Sequence, residues 1–227
     1  MRTRLRRHRR LSRSSSSVAP RGSALPRLAV VSGEDSPPRG LVVLGLGNPG
    51  NRYAGTRHNV GFQVVDLLAR RYHVVMEVRR AWQLEMGSVA ARGGTLHLVK
   101  PLTFMNLSGT VVPRVKRVTG VDNDAFVVVC DQMDLPPGAT RLKAAGSGAG
   151  HNGLSSVLQF TGSGIARIYI GVGRPQTQEQ VVSHVLARPS VFDRQLMDQA
   201  VELVCDHVTR RLDEPAELVM NDLNHRS

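Results

Sequence analysis

The chain has few cysteines, few aromatic residues and no long apolar run, and each shortage excludes something. Of its 227 residues only two are cysteine, Cys130 and Cys205, set in the apolar stretches FVVVC and VELVC. Two thiols so far apart, in a chain without a secretory signal, make no disulfide framework and are expected to be reduced core residues. No apolar stretch approaches the length needed to cross a bilayer, so a soluble, cytoplasmic protein with no membrane partner is expected. There is no H-E-x-x-H pair to hold a metal, and no G-x-S-x-G elbow for a serine nucleophile. Acids are also scarce, 18 against 30 lysines and arginines, for a formal charge of +12.

That charge is unevenly spread. Residues 1–33 carry nine arginines, no lysine and no acid, which leaves only +3 for the rest of the chain. Such an Arg/Ser-rich head cannot build a core, and residues 1–40 are expected to be a disordered extension. Three readings of it stay open: an organellar transit peptide, which would move the protein to an organelle, a basic arm for RNA, or an extension with no role. Any nucleic-acid argument must therefore rest on residues 41–227.

From Leu41 the texture changes. LVVLGL reads as a buried strand, and a helix is expected from about Asn59, with Val60, Val64, Leu67 and Leu68 on one face. GSVAA, TLHLV, FVVVC, TRLKA and ARIYIGVG are further strand candidates. Helices are expected near 106–118, 152–160, 177–186 and 191–211. Ser190 with Asp193 would cap the last of these, and Thr110 would cap the first, with Pro113 in its first turn. Alternating strands and helices predict a single three-layer α/β/α domain with a mixed, mostly parallel sheet.

The stretch LVVLGLGNPGNRYAGTRHNVGF contains Gly45-x-Gly47-x-x-Gly50, the spacing of a dinucleotide-binding turn. The context argues against that use. In such a site the helix begins within the glycine turn, whereas here Asn48-Pro49-Gly50 breaks the chain and the loop runs on. The required acid about 20 residues later has only Asp66 to fill it, inside the expected helix. The glycines are instead expected to allow a tight strand-to-loop turn that presents Asn48.

Polar groups gather at several such exits. Asn48, Tyr53, Arg57, His58 and Asn59 share one loop. Asn106 follows one strand in KPLTFMNLSG, and Asp131 ends another in FVVVCDQMDLPPG. His151 and Asn152 open a helix after a Gly-rich run. Each alone reads as a turn or cap residue, but four together at strand ends match where an α/β fold collects its site. Cys130, at the end of an apolar strand, has no setting that would lower its pKa. His97 and His73 read as packing or surface residues, and Trp82, the one tryptophan, as core rather than groove lining.

Taken together, GLGNPGNRYAGTRHNVG, KPLTFMNLSG, CDQMDLPPG and GAGHNGL…RIYIGVGRP resemble bacterial-type peptidyl-tRNA hydrolase from Leu41 to the C-terminus. The resemblance implies a monomeric α/β enzyme, without metal or organic cofactor, that cleaves the ester between a peptide and the acceptor end of tRNA. It makes His58 the catalytic base, Asp131 the acid that orients it, and Asn48 the group that places water and the substrate carbonyl. It assigns Asn106 and Asn152, with Phe104 and Met105, to substrate binding, puts Tyr53 near the tRNA terminus, and gives Lys143 and Arg167 to phosphates. Arg57, Lys100 and Arg141 join the last two as candidates for a basic patch. The chain departs from the family pattern at Cys130, Gln132, Met133 and Tyr169. A noncatalytic RNA-binding relative, such as an organellar splicing factor of the same fold, is the alternative. The chemistry suits the first reading: an imidazole titrates near neutrality and can take a proton from water, a carboxylate fixes its tautomer, and an amide can meet an oxyanion.

Overall fold

A computed structural model describes residues 40–91, 94–211, 214 and 223–224. All of the expected extension except Gly40 lies outside these residues. Seven strands form one sheet: β1 (Gly40–Gly45), β2 (Glu77–Arg79), β3 (Leu84–Ala91), β4 (Gly94–Pro101), β5 (Phe126–Gln132), β6 (Thr140–Lys143) and β7 (Ala166–Gly171). Their order is β2-β3-β4-β1-β5-β7-β6. The central strands β4, β1, β5 and β7 are mutually parallel, and antiparallel pairing is confined to the flanks, β2 with β3, β3 with β4 and β6 with β7.

The continuous apolar runs have the expected cause, because β1 and β5 are buried on both faces. Leu41, Val43, Val127 and Val129 point into one core, with helices α1 (Val60–Arg71) and α5 (Val191–Arg210). Val42, Leu44, Phe126, Val128 and Cys130 point into the other, with α2 (Val112–Thr119) and α3 (Asn152–Thr161). Each fully buried aliphatic side chain contributes roughly 1.5–3 kcal/mol. The three-layer arrangement follows from these two apolar faces.

Several boundaries differ from expectation. β2 was not expected from the sequence, being short and exposed on every residue. Residues 105–111 form 3-10 turns, and α2 starts only at Val112. The residue before α2 is Val111, which offers no side-chain cap; the Thr110 hydroxyl donates to the Leu107 carbonyl instead. Pro113 still falls at the start, where its missing N–H costs nothing. The expected helix over 177–186 is a 3-10 turn followed by the short α4 (Val181–Leu186). At α5, Ser190 Oγ accepts the Asp193 N–H at 3.0 Å.

The first glycine of the GxGxxG spacing serves close packing. A Cβ on Gly45 would stand 2.3 Å from the Gly61 carbonyl oxygen, and one on Gly61 would stand 2.4 Å from the Val129 oxygen. Both must be glycine for the start of α1 to press onto the exits of β1 and β5. That contact brings the residues just before α1 to the end of β5. Asp66 lies within α1, where it pairs with Lys100, and not at a strand end, where a nucleotide ribose would need it.

Candidate active site

The loop after β1 is fixed by an amide that imitates a strand. Asn59 Oδ1 accepts the Asn48 N–H at 3.0 Å, and Asn59 Nδ2 donates to the Asn48 carbonyl at 2.8 Å. Asn48 is thereby held, and its own Oδ1 accepts the Met105 N–H at 2.8 Å. Since that partner is a donor, the oxygen assignment is forced, and the Asn48 amide group keeps its N–H bonds for the cavity it lines.

His58 sits in the 3-10 turn before α1, and Asp131 at the exit of β5. His58 Nδ1 lies 2.7 Å from Asp131 Oδ1, and His151 Nε2 lies 3.0 Å from the same oxygen. Burial pushes the Asp131 carboxyl up, but the imidazoles of His151 and His58 outweigh it and hold it well below the usual carboxylate range. An ionised carboxylate only accepts, so His58 carries its proton on Nδ1 and keeps a lone pair on Nε2. His151 is set from its other side. Its Nδ1 accepts the Leu154 N–H at 3.1 Å, capping α3, so its proton is on Nε2, facing Asp131. The ligand atoms of His58, Asp131 and His151 lie within 4.8 Å of one another, as in a metal cluster. Their hydrogen bonds instead describe two N–H donors on one carboxylate oxygen.

His151 is the residue that sequence reasoning passed over as a partner of Asp131. The available signal was its place before Asn152 at a Gly-rich helix entry, where a side chain that caps the helix also faces the sheet end.

A cavity of about 210 Å³ opens over this group, lined by Asn48, His58, Met105, Asp131, His151 and Asn152 on one side. Val181, Val182, Val185 and Leu186 of α4 form an apolar wall of the same cavity. The turn that carries Met105 is packed against α3: a Cβ on Gly109 would lie 2.0 Å from the Ser156 carbonyl oxygen. Of the other expected substrate residues, Phe104 and Asn106 are exposed beside Met105, Tyr53 is half-buried, and Lys143 is exposed on β6. None of these four lines the cavity.

The basic patch needs correction. Arg167 has no exposed surface, and its guanidinium donates to the carbonyls of Gly146, Ser147, Ser163 and Ile165. It braces the 144–151 loop from inside and offers no group to a phosphate. Lys100 is buried between Asp66 at 2.5 Å and Glu85 at 2.8 Å. Arg57 is buried as well, against the segment that follows α4. Only Arg141 and Lys143 of the five candidates stand exposed. Tyr169 is buried too.

Cys130 is fully buried and faces the core opposite to Asp131. Burial and the neighbouring Asp131 charge push its thiol well above the ordinary value, so no thiolate nucleophile forms there. Burial likewise pushes Cys205 up to about 12. Among the described residues, no helix is long and apolar enough to cross a membrane.

The family model described as peptidyl-tRNA hydrolase matches residues 42–227. The peptidyl-tRNA hydrolase of Halorhodospira halophila is 41% identical over 172 residues, 75% of this chain and 89% of that protein. That of Geobacillus kaustophilus is 40% identical over 182 residues, 80% of this chain and 97% of that protein. The crystal structure of peptidyl-tRNA hydrolase from Acinetobacter baumannii superposes with a TM-score of 0.78 at 33% identity, covering 81% of this chain and 94% of that one. The chain belongs to the peptidyl-tRNA hydrolase family.

Proposed function

We propose that His58, Asp131 and Asn48 carry out the family's reaction, hydrolysis of the ester that joins a peptide to tRNA, within the cavity they line. The observation that carries this reading is the His58 Nδ1–Asp131 Oδ1 contact at 2.7 Å, with His58 open to the cavity on its other side. His58 Nε2 takes a proton from water as the water attacks the ester carbonyl carbon. The positive charge that appears on the imidazole is met by the buried Asp131 carboxylate. The Asn48 N–H bonds donate to the carbonyl oxygen as it becomes an oxyanion. The proton on His58 then passes to the departing ribose oxygen, releasing free peptide and free tRNA.

His151 keeps Asp131 in place. Its Nδ1 is committed to the α3 cap and its Nε2–H to the carboxylate, so it orients without exchanging the proton itself. Asn152, exposed at the start of α3 and on the cavity edge, is offered to the peptide backbone, and Asn106, Phe104 and Tyr53 to the approaches outside the cavity. A neutral general base suffices, and a monomer contains every residue named.

The test is turnover of N-acetyl-aminoacyl-tRNA. His58→Ala should lose roughly a hundred- to ten-thousandfold in kcat, the range general-base action supplies. Its tRNA affinity should stay near that of the unaltered chain, because phosphate contacts supply binding. Near-normal turnover by this variant would remove His58 from the mechanism. Absence of turnover in the unaltered chain would favour the noncatalytic RNA-binding reading.

A further inference from the structure

We propose that Arg57 is a positioning residue that clamps α4 over the catalytic cavity and thereby governs substrate binding rather than the chemical step. The inference rests on the reading of this cavity as the place of ester hydrolysis.

Arg57 is the residue before His58, yet it faces away from the reacting group. Its backbone N–H donates to the Ala187 carbonyl at 3.1 Å. Its Nη1 donates to the Arg188 carbonyl at 3.1 Å and reaches the His184 carbonyl at 3.5 Å, and its Nη2 meets Asp193 Oδ2 at 3.3 Å. One guanidinium thus joins the end of α4, the link that follows it, and the first turn of α5. The side chain is only 10% exposed, so water competes weakly for these bonds.

The segment it holds cannot hold itself. α4 has six residues, too few for a helix to persist on its own hydrogen bonds. Only Val185 among them is buried, and Val182 is 67% exposed. The second tie is the His184 ring, whose Nε2 lies 2.9 Å from the Gly173 carbonyl and 3.2 Å from that of Val172. Between these two ties, α4 presents Val181, Val182, Val185 and Leu186 to the cavity opposite His58. A wall fixed in advance spares the substrate the entropy of ordering it. Loosening the wall should weaken binding, most of all for a substrate that places an apolar side chain against it, and should leave the His58–Asp131 contact in place.

The experiment uses the full chain with Arg57→Met, Arg57→Lys and Asp193→Asn, on acetyl-leucyl-tRNA and acetyl-glycyl-tRNA. Arg57→Met should raise KM for the leucyl substrate roughly tenfold, the worth of one or two charged hydrogen bonds after partial rehydration, with kcat within about threefold. The glycyl substrate should lose less. The pH profile of kcat should keep its shape, and Arg57→Lys should recover part of the KM. Asp193→Asn removes the negative charge from one ion pair at a partly exposed site and should raise KM in the same direction by a smaller factor. It carries the test alone if thermal unfolding shows that Arg57→Met does not fold. A fall in kcat at unchanged KM, a loss equal for the two substrates, or an unmoved KM in every folded variant would overturn the proposal. His58→Ala, run in parallel, keeps the two readings apart: normal turnover there sinks the site assignment, whatever Arg57 does.

Discussion

Asp131→Asn isolates charge from geometry, because the fold already uses a single oxygen of that side chain for both histidines. His58 Nδ1 and His151 Nε2 both meet Oδ1. An asparagine that places its carbonyl oxygen there keeps both hydrogen bonds and both tautomers. What it lacks is the negative charge that, in the proposed mechanism, meets the imidazolium as the water is deprotonated. With charge centres roughly 4 Å apart and an effective dielectric near 20, that attraction is worth about 4 kcal/mol. Roughly a thousandfold in rate corresponds to it. The His58 side chain is 14% exposed, so water recovers part of the loss. The expected fall in kcat is therefore roughly a hundred- to a thousandfold, with KM changed by no more than about threefold. Single-turnover hydrolysis of acetyl-aminoacyl-tRNA measures it directly. A variant within about fivefold of the unaltered kcat would show that no charge develops on His58 and would refute the general-base mechanism. Stability provides a second reading of the same variant. A carboxyl whose folded pKa is depressed stabilises the fold above its unfolded value, about 3.9, and loses that stabilisation as pH falls below it. Asp131→Asn should accordingly show a flatter dependence of its unfolding midpoint on pH through the acid window.

Two further outcomes are expected. Arg167→Met should cost at least about 3 kcal/mol in urea unfolding, because carbonyls within the 144–151 loop and in the link that follows α3 lose a buried charged donor; a change below about 1 kcal/mol would show that the brace is dispensable. Removing the exposed charges of β6 with Arg141→Gln and Lys143→Gln should weaken tRNA binding and lower the log–log salt slope by roughly one unit for each phosphate no longer neutralised; an unchanged slope would place the RNA elsewhere on the surface.

The layers and the placement of the candidate site were legible in the sequence for the same reason. Where an apolar strand ends on Gly, Asn or Asp, the chain leaves the sheet at a defined level, and the parallel strands β1, β4, β5 and β7 put those exits side by side. That placed Asn48, Asp131 and the loop bearing His58 together without knowledge of any contact. The short β2 was not legible, because three exposed residues have no buried face to impose alternation. The 3-10 form of 105–111 was also hidden. The helical spacing there is real, but Gly109 must lie against the Ser156 backbone, and that packing sets the turn. Three of the five basic candidates, Arg57, Lys100 and Arg167, are buried, and for Arg167 a cue existed. ARIYIG is a central strand buried on both faces, so an arginine within it has no route to solvent except past the strand ends. Arg167 took the alternative, five N–H bonds to backbone carbonyls.

The four residues TRHN show why a motif cannot be equated with its chemistry. Thr56 closes the turn by donating to the Tyr53 carbonyl at 2.8 Å. Arg57 ties the turn to the segment after α4, and Asn59 pairs with the backbone of Asn48. Only His58 faces both the carboxylate and the cavity. The same division holds at the end of β5, where Cys130 fills the core on one face and Asp131 meets His58 and His151 on the other, as strand alternation requires. Replacing any of these residues should lower activity, yet by separate routes: kcat for His58 and Asp131, KM for Arg57, folding stability for Asn59 and Thr56. A fall in turnover alone therefore assigns none of them, and it is the partition among kcat, KM and the unfolding midpoint that tells the reacting group from the scaffold on either side of it.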